Sequence, residues 1–384
     1  MDRRWSSRSA ALVALTAAAL AGTGCGSSFK LPTEQLQNRS APEDKSYQMI
    51  ATWTGLTGVT DVLLIPGPQL YLAFKGNPGH VSEYSTTLPN PIGVGRFAGV
   101  TNPGGLAANA ASVFVLDQGD TAAARSASPD TNNFELDCGP LKGSFRTITD
   151  LSKYWYVREY NIKGTVLKSE FTDTIFAWPN GIAADADGRV YVSGVINHCS
   201  VYQFDTRLRT LDNEFRIYRY ERGTGDPNVI GGWRRDPTFE IAEGTGVGST
   251  LDPRGMSWSD ATGAALFFAD LGNNEAQKFD LFSGHANSFK LDICDADTTP
   301  LVKPNDVAVD DSGNVYVVDT GNRRVLRYKA DGSTCLQRVD IDSYTYGPPL
   351  VKPVAAASGD FAGTNFVYVV DEALNQVVLY RRRQ

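Results

Sequence analysis

Five residues of this 384-residue chain combine reactive types with a recurring position: Asp61, Asn180, Arg254, Asn305 and Asp306. Each heads a short apolar segment, in Thr60-Asp61-Val62, Asn180-Gly181-Ile182, Arg254-Gly255-Met256 and Asn305-Asp306-Val307. Carboxylate and amide oxygens bind hard cations, and Ca²⁺ is the ion that Asp61, Asn180, Asn305 and Asp306 would suit. Metal-assisted hydrolysis or elimination is the chemistry such a set would support. The same residue types also open strands simply because their short polar side chains cap turns.

Other chemistry is hard to assemble. The chain has only three His, at 80, 198 and 285, and none heads one of these segments. His198 adjoins Cys199, but two ligands without a second pair do not make a zinc site. No Walker loop, nucleophile elbow or Ser-His-Asp order stands out, so no cofactor beyond Ca²⁺ is expected. Acidic residues outnumber basic ones 43 to 36, for a net charge of -7. Without a basic run, nucleic acid is excluded as a partner. A content of 42% hydrophobic and 21% charged residues is globular and excludes a disordered chain.

The elements that would position these residues come from an internal repeat. Its clearest copy is Pro304-Asn-Asp-Val-Ala-Val-Asp-Asp-Ser-Gly-Asn-Val-Tyr-Val-Val-Asp-Thr-Gly-Asn-Arg-Arg-Val-Leu-Arg-Tyr328. Strands fall at 307–309, 315–318 and 325–328, where β-branched and aromatic residues gather, and Asp, Gly and Asn fill the turns between them. A second copy spans 179–193, with its third strand at 200–204. A third runs through 252–258, 265–274 and 276–280, and a fourth through 354–358, 366–371 and 376–380. Weaker copies lie at 104–109 with 112–117, and at 60–65 with 69–74 and 80–84. A spare strand, Tyr47–Trp53, precedes them all.

The unit resembles the NHL repeat, the blade of a β-propeller. Six copies imply an all-β fold: one six-bladed β-propeller over residues 45–384, closed by the N-terminal strand completing the last blade. The inner strands of such a ring start on one face. Asp61, Asn180, Arg254, Asn305 and Asp306 would then point toward the mouth of the central channel. Pro304-Asn-Asp and Pro179-Asn-Gly also look like the metal-binding Asn turns of gluconolactonase-type six-bladed hydrolases, whose initial Glu is not evident here. NHL propellers include a copper- and zinc-linked amidating lyase that relies on His at the inner-strand starts, and this chain has none there. The turns at Asp319-Thr-Gly-Asn-Arg-Arg and Asp270-Leu-Gly-Asn-Asn are expected to be structural, with Asp and Asn bonding turn amides and Arg324 reaching a backbone or carboxylate oxygen.

Repeat spacing places insertions at about 118–153, between strands two and three of blade two, and at about 221–250, after the fourth strand of blade three. Both would emerge on the mouth face, where binding function gathers on a rigid scaffold. His80 and His198 are expected in loops between second and third strands, and His285 in a loop on the opposite face.

Residues 1–24 read as an export signal: Arg3, Arg4 and Arg8, an apolar run from Ala10 to Leu20, then small residues. The run is shorter than the ~20 residues a membrane span needs. Leu20-Ala-Gly-Thr-Gly-Cys25 resembles a bacterial lipoprotein signal, which implies lipidation of Cys25, membrane contact through that lipid alone, and a flexible tether over 25–44. The location expected is the bacterial cell envelope (periplasm or outer membrane) or secretion. Cys138, Cys199, Cys294 and Cys335 would then form two disulfides. Cys138–Cys199 is favoured because both are assigned to mouth-face loops of adjacent blades, leaving Cys294–Cys335. The function expected is a monomeric binding or scaffold module for a protein, peptide or glycan on the insertion face. The alternative is a metal-dependent hydrolase or lyase at the channel mouth.

Overall fold

Short runs rich in Val, Ile, Tyr and Phe, broken by Asp, Gly and Asn, build strands throughout this computed structural model. It describes residues 47–383 apart from 66–68, 77, 87–90, 94–96, 120–154, 174–175, 202–208, 262, 285, 290–298, 333 and 341–348. The signal and tether, Cys25, Cys138, His285, Cys294 and nearly all of the 118–153 segment lie outside the described residues, as do the side chains of His198 and Cys199.

Strand β1 (Tyr47–Trp53) precedes blade one, which comprises β2 (Val59–Ile65), β3 (Gln69–Phe74), β4 (His80–Ser85) and β5 (Pro91–Gly93). Blade two holds β6 (Pro103–Ala108), β7 (Ser112–Asp117), β8 (Tyr156–Asn161) and β9 (Leu167–Asp173). Blade three holds β10 (Phe176–Ala184), β11 (Val190–Val201), β12 (Arg209–Arg222) and β14 (Trp233–Ile241), while β13 (Val229–Ile230) adds to β9. Blade four is β15 (Pro253–Ser259), β16 (Ala265–Asp270), β17 (Glu275–Asp280) and β18 (Ala286–Phe289). Blade five is β19 (Pro304–Val309), β20 (Val315–Asp319), β21 (Arg324–Tyr328) and β22 (Cys335–Arg338). Blade six takes β23 (Pro353–Phe361), β24 (Thr364–Asp371) and β25 (Gln376–Arg382), and β1 pairs antiparallel along β25 as its fourth strand.

The six inner strands pack in chain order, and β23 returns against β2. The chain is an all-β, six-bladed propeller. An apolar cluster fills each junction between blades. Phe176, Trp155 and Trp233 sit between blades two and three, and Trp53, Leu70 and Tyr368 between six and one. Burying such large side chains contributes about 1.5–3 kcal/mol each and is what holds one blade on the next.

Two local rules position the mouth. Every inner strand slips register near its head, leaving Thr60, Gly104, Asn180, Arg254 with Gly255, Asn305 and Val354 unpaired. A bulge bends the strand and re-aims its side chain, here into the channel. The second rule is a buried Asp opposite the Pro that opens the inner strand: Asp117, Asp270, Asp319 and Asp371. Each accepts amides of the preceding loop, as Asp319 does from Val302 (2.7 Å) and Asp371 from Val351 (2.7 Å). Asp319 also takes Asn322 Nδ2 and Arg324 Nε, and Arg324 donates onward to the Thr299 carbonyl (3.1 Å). These turns are structural.

Blade three departs from the sequence expectation. Gly194 stands opposite Pro179 where blades two, four, five and six have Asp, and a Cβ there would meet the Trp178 carbonyl oxygen at 2.4 Å. Without the carboxylate the strands do not stop. β11 and β12 pair in unbroken register from Val190↔Tyr220 to Val201↔Arg209. The third strand is therefore 209–222, not 200–204, and Cys199 and His198 lie in β11 rather than in a loop. The 221–250 segment is not an insertion after a fourth strand, because it contains the fourth strand, β14, and the β13 pairing to blade two. His80 also belongs to a strand, heading β4 and stacked on Phe74 at 4.7 Å, and burial pushes its pKa down.

Candidate functional site at the channel mouth

The bulged strand heads enclose a cavity of about 450 Å³ at the ring axis. Asp61, Asn180, Arg254, Asn305 and Asp306 all line it. They come from blades one, three, four and five, and their hydrogen bonds run around the ring. Asp61 Oδ2 accepts the Leu106 amide of blade two (2.6 Å), and its Oδ1 accepts the Val62 amide (2.7 Å). Asp306 Oδ2 accepts the Ala356 amide of blade six (2.9 Å), and Asn305 Nδ2 donates to the Val354 carbonyl (2.6 Å). Asn180 Nδ2 donates to Asp252 Oδ1 (3.2 Å), and Arg254 Nη2 pairs with Asp252 Oδ2 (2.7 Å). The inner strands approach so closely that a Cβ on Gly255 would fall 1.8 Å from Asp306 Oδ1, so only Gly fits there.

Electrostatics follow from that burial. Desolvation raises the Asp61 pKa to about 7, against the pull of the Val62 and Leu106 amides and the Lys75 charge. Asp306 is pushed well up, first by burial and then by the negative charge of Asp61, despite its amide bonds. The charge of Asp61 opposes ionisation of Asp306, so the two carboxyls do not titrate independently.

Of the oxygens expected to suit Ca²⁺, both on Asp61 and Oδ2 of Asp306 accept amides of the ring itself. Among the described residues, no group of three or more His, Cys, Asp or Glu gathers as a metal centre.

Residues outside the sequence expectation complete the mouth: Lys75, Gln118, Lys303, Lys352 and Glu372. Gln118 Nε2 donates to the Pro179 carbonyl (2.9 Å), and Lys352 pairs with Glu372. Lys303 and Asp252 directly precede strand-opening prolines and hold left-handed φ values of 49° and 76°. A signal for the lysines exists in the sequence: Leu-Val-Lys-Pro occurs twice, at 301–304 and 350–353.

Residues 301–328 match the family model described as NHL repeat. Blade five carries an NHL repeat. The matched span delivers Lys303, Asn305 and Asp306 to the mouth and the Asp319 carboxylate to the loop before it. Among solved structures the chain is similar to a catalytically inactive virginiamycin B lyase variant from Staphylococcus aureus with quinupristin. The identity is 13%, with 88% of this chain and 99% of that chain covered and a TM-score of 0.43. No curated protein sequence matches the chain. The NHL blade and its five companions thus present a shared mouth, built from strand heads and lined by both basic and acidic side chains.

Proposed function

We propose that this NHL propeller is a binding module that takes a protein, peptide or glycan on its mouth face. One observation carries the reading: the polar groups of the mouth are engaged in the ring's own hydrogen bonds. Asp61, Asn180, Asn305 and Asp306 tie blades together, which leaves a shaped, rigid recess rather than a set of reactive groups. The β11–β12 extension leaves the ring from the second-to-third strand connection of blade three, beside the strand heads of the mouth, in the manner of a binding loop on a fixed scaffold. The chain is proposed to act as a monomer, exported through residues 1–24, anchored in the cell envelope by lipid on Cys25, with its four remaining cysteines in two disulfides.

Metal analysis of the purified mature protein, repeated on Asn305→Ala, tests this reading. Stoichiometric Ca²⁺ or Zn²⁺ that disappears in the variant would overturn it in favour of a metal-dependent hydrolase or lyase. Separately, hydrogen exchange of the loops at 299–304 and 349–354 should slow when protein, peptide or glycan fractions of the envelope are added. Exchange unchanged by all three fractions would remove the binding reading. A second reading, acid–base catalysis, gains from a carboxyl with pKa about 7 in a cavity. It requires that Asp61→Asn abolish a turnover shown by the wild type. Mass spectrometry of the mature N-terminus checks the anchor; a chain beginning at unmodified Ser27 would end that part.

A further inference from the structure

The charges at the mouth balance. Lys75, Arg254, Lys303 and Lys352 line the cavity, and Asp61, Asp306, Glu372 and Asp252, the partner of Arg254, match them one for one. What the mouth keeps in reserve is neutral. Around the strand heads stand five uncharged polar side chains that line the cavity, from blades one, two, three and five: Thr60, Gln118, Asn180, Asn305 and Thr320. Each donates a hydrogen bond into the ring. Thr60 Oγ1 donates to the Ala73 carbonyl (3.4 Å), and Gln118 Nε2 to that of Pro179 (2.9 Å). Asn305 Nδ2 donates to the Val354 carbonyl (2.6 Å), Thr320 Oγ1 to that of Pro353 (2.6 Å), and Asn180 Nδ2 to Asp252. A hydroxyl that donates its one hydrogen can still accept, and so can the oxygen of a carboxamide that donates through nitrogen. Among the described residues no hydrogen bond reaches Gln118 Oε1 or Asn305 Oδ1, and Arg254 Nη1 reaches Asn180 Oδ1 only at 3.5 Å.

We propose that the channel mouth binds the end of an uncharged glycan, whose hydroxyls donate to these five side chains. This rests on the binding reading above and narrows it to one ligand class. Three features favour a neutral sugar. A charge-balanced cavity of about 450 Å³ suits an uncharged ligand and lies within the size range of ligand pockets. The neutral reserve is richest in acceptors, held in place by the ring's own bonds, and a sugar ring carries several hydroxyl donors where a peptide unit carries one N–H. The apolar residues that follow the heads are taken by the ring itself. Val62, Leu106, Ile182, Met256, Val307 and Ala355 line the cavity, yet all are 7% exposed or less and pack into the blade junctions. A peptide side chain finds no apolar pocket at that level to anchor it. No aromatic ring is among the described lining residues, so recognition rests on neutral hydrogen bonds and must be insensitive to salt.

The probes are maltotriose, cellotriose and triacetylchitotriose, titrated into the full mature chain by saturation-transfer NMR beside trigalacturonate and a decapeptide alternating Gln and Leu. At least one neutral trisaccharide should bind at least 10-fold tighter than the uronate and the decapeptide. Its affinity should change less than about 2-fold as NaCl rises from 50 to 300 mM. The variant Gln118→Leu/Thr320→Val should lose at least 10-fold. Thr165→Val/Ser312→Ala, in exposed turns outside the cavity, should bind as the wild type does. Far-UV circular dichroism checks that the first variant is folded; if it is not, the near-isosteric Thr320→Val alone takes its place and should lose at least 3-fold. Binding by none of the three trisaccharides, or equal loss in both double variants, would overturn the proposal. Tighter binding of the uronate or the decapeptide would also overturn it while leaving a binding mouth in place. If protein or peptide fractions of the envelope protect the 299–304 and 349–354 amides but no trisaccharide binds, only the ligand class fails. If nothing protects them, trisaccharides included, the binding reading fails too.

Discussion

Blades three and five share one sequence pattern and end it differently. In blade five, Asp319 faces Pro304, gathers the Val302 amide, Asn322 and Arg324, and the strand pair stops there. In blade three, Gly194 faces Pro179, and pairing continues to Phe176↔Ile196 on one side and Val201↔Arg209 on the other. Blades two, four and six stop at Asp117, Asp270 and Asp371 as blade five does. Blade one stops by another route, at Gly58 with φ 80°. A single buried carboxylate that binds loop amides therefore trims a propeller strand to repeat length. Where it is missing, the strands extend and can carry a new structure above the ring. In blade three Arg222 lies over Trp233 and Arg235 over Tyr218, as Arg327 lies over Tyr316 in blade five.

The comparison breaks most readily at Asp319. Asp319→Ala leaves Arg324, only 3% exposed, without its carboxylate. Losing one member of a buried pair costs about 3–5 kcal/mol, so urea denaturation should show a loss of that order. A loss below about 1 kcal/mol would mean the carboxylate does not end the strand. In blade three the corresponding test is Gly194→Ala. Its Cβ would press on the Trp178 carbonyl and on Pro179 Cα at 2.8 Å, and crowding of this kind costs about 1–3 kcal/mol. The same substitution at exposed Gly246, which like Gly194 is not left-handed and where a Cβ would meet nothing nearer than Ser249 Oγ at 3.8 Å, isolates the crowding.

A third test uses the inner strands, where blade five has Asp306 and blade three has Gly181. A carboxyl whose pKa is raised on folding stabilises the protein while protonated, and that contribution is lost as pH rises through its folded value. For Asp61 the window runs from the ordinary 3.8 to about 7. Asp61→Asn/Asp306→Asn should gain stability relative to the wild type as urea midpoints are taken from pH 4 to pH 8. A constant difference across that range would show that the pair does not titrate there. The smallest effect is expected on the outer edge of blade three. Arg234→Ala removes an exposed pair with Glu221 and should change stability by less than about 0.5 kcal/mol.

The legible part of this molecule was local. Most strand ends of blades four, five and six stand within three residues of where β-branched runs and Asp-Gly-Asn turns place them, since those signals act between neighbours in the chain. The third strand of blade three was misplaced because Val195 to Phe204 keeps a strand-like alternation and contains no turn to end it. The five polar strand heads could be named from the repeat, yet their work could not. Whether Asp61 holds a cation or an amide depends on Leu106 of the next blade.

The amino-acid sequence by itself determined the number of blades and the structural turns at Asp270 and Asp319, because hydrophobic period and turn chemistry are short-range. Only the tertiary structure decided what the mouth is. Ring closure and a bulge in every inner strand bring Lys75, Arg254, Lys303 and Lys352 to one cavity with Asp61 and Asp306. Charge and desolvation act through space, so the upward pKa shifts of Asp61 and Asp306 exist only once the six blades have closed.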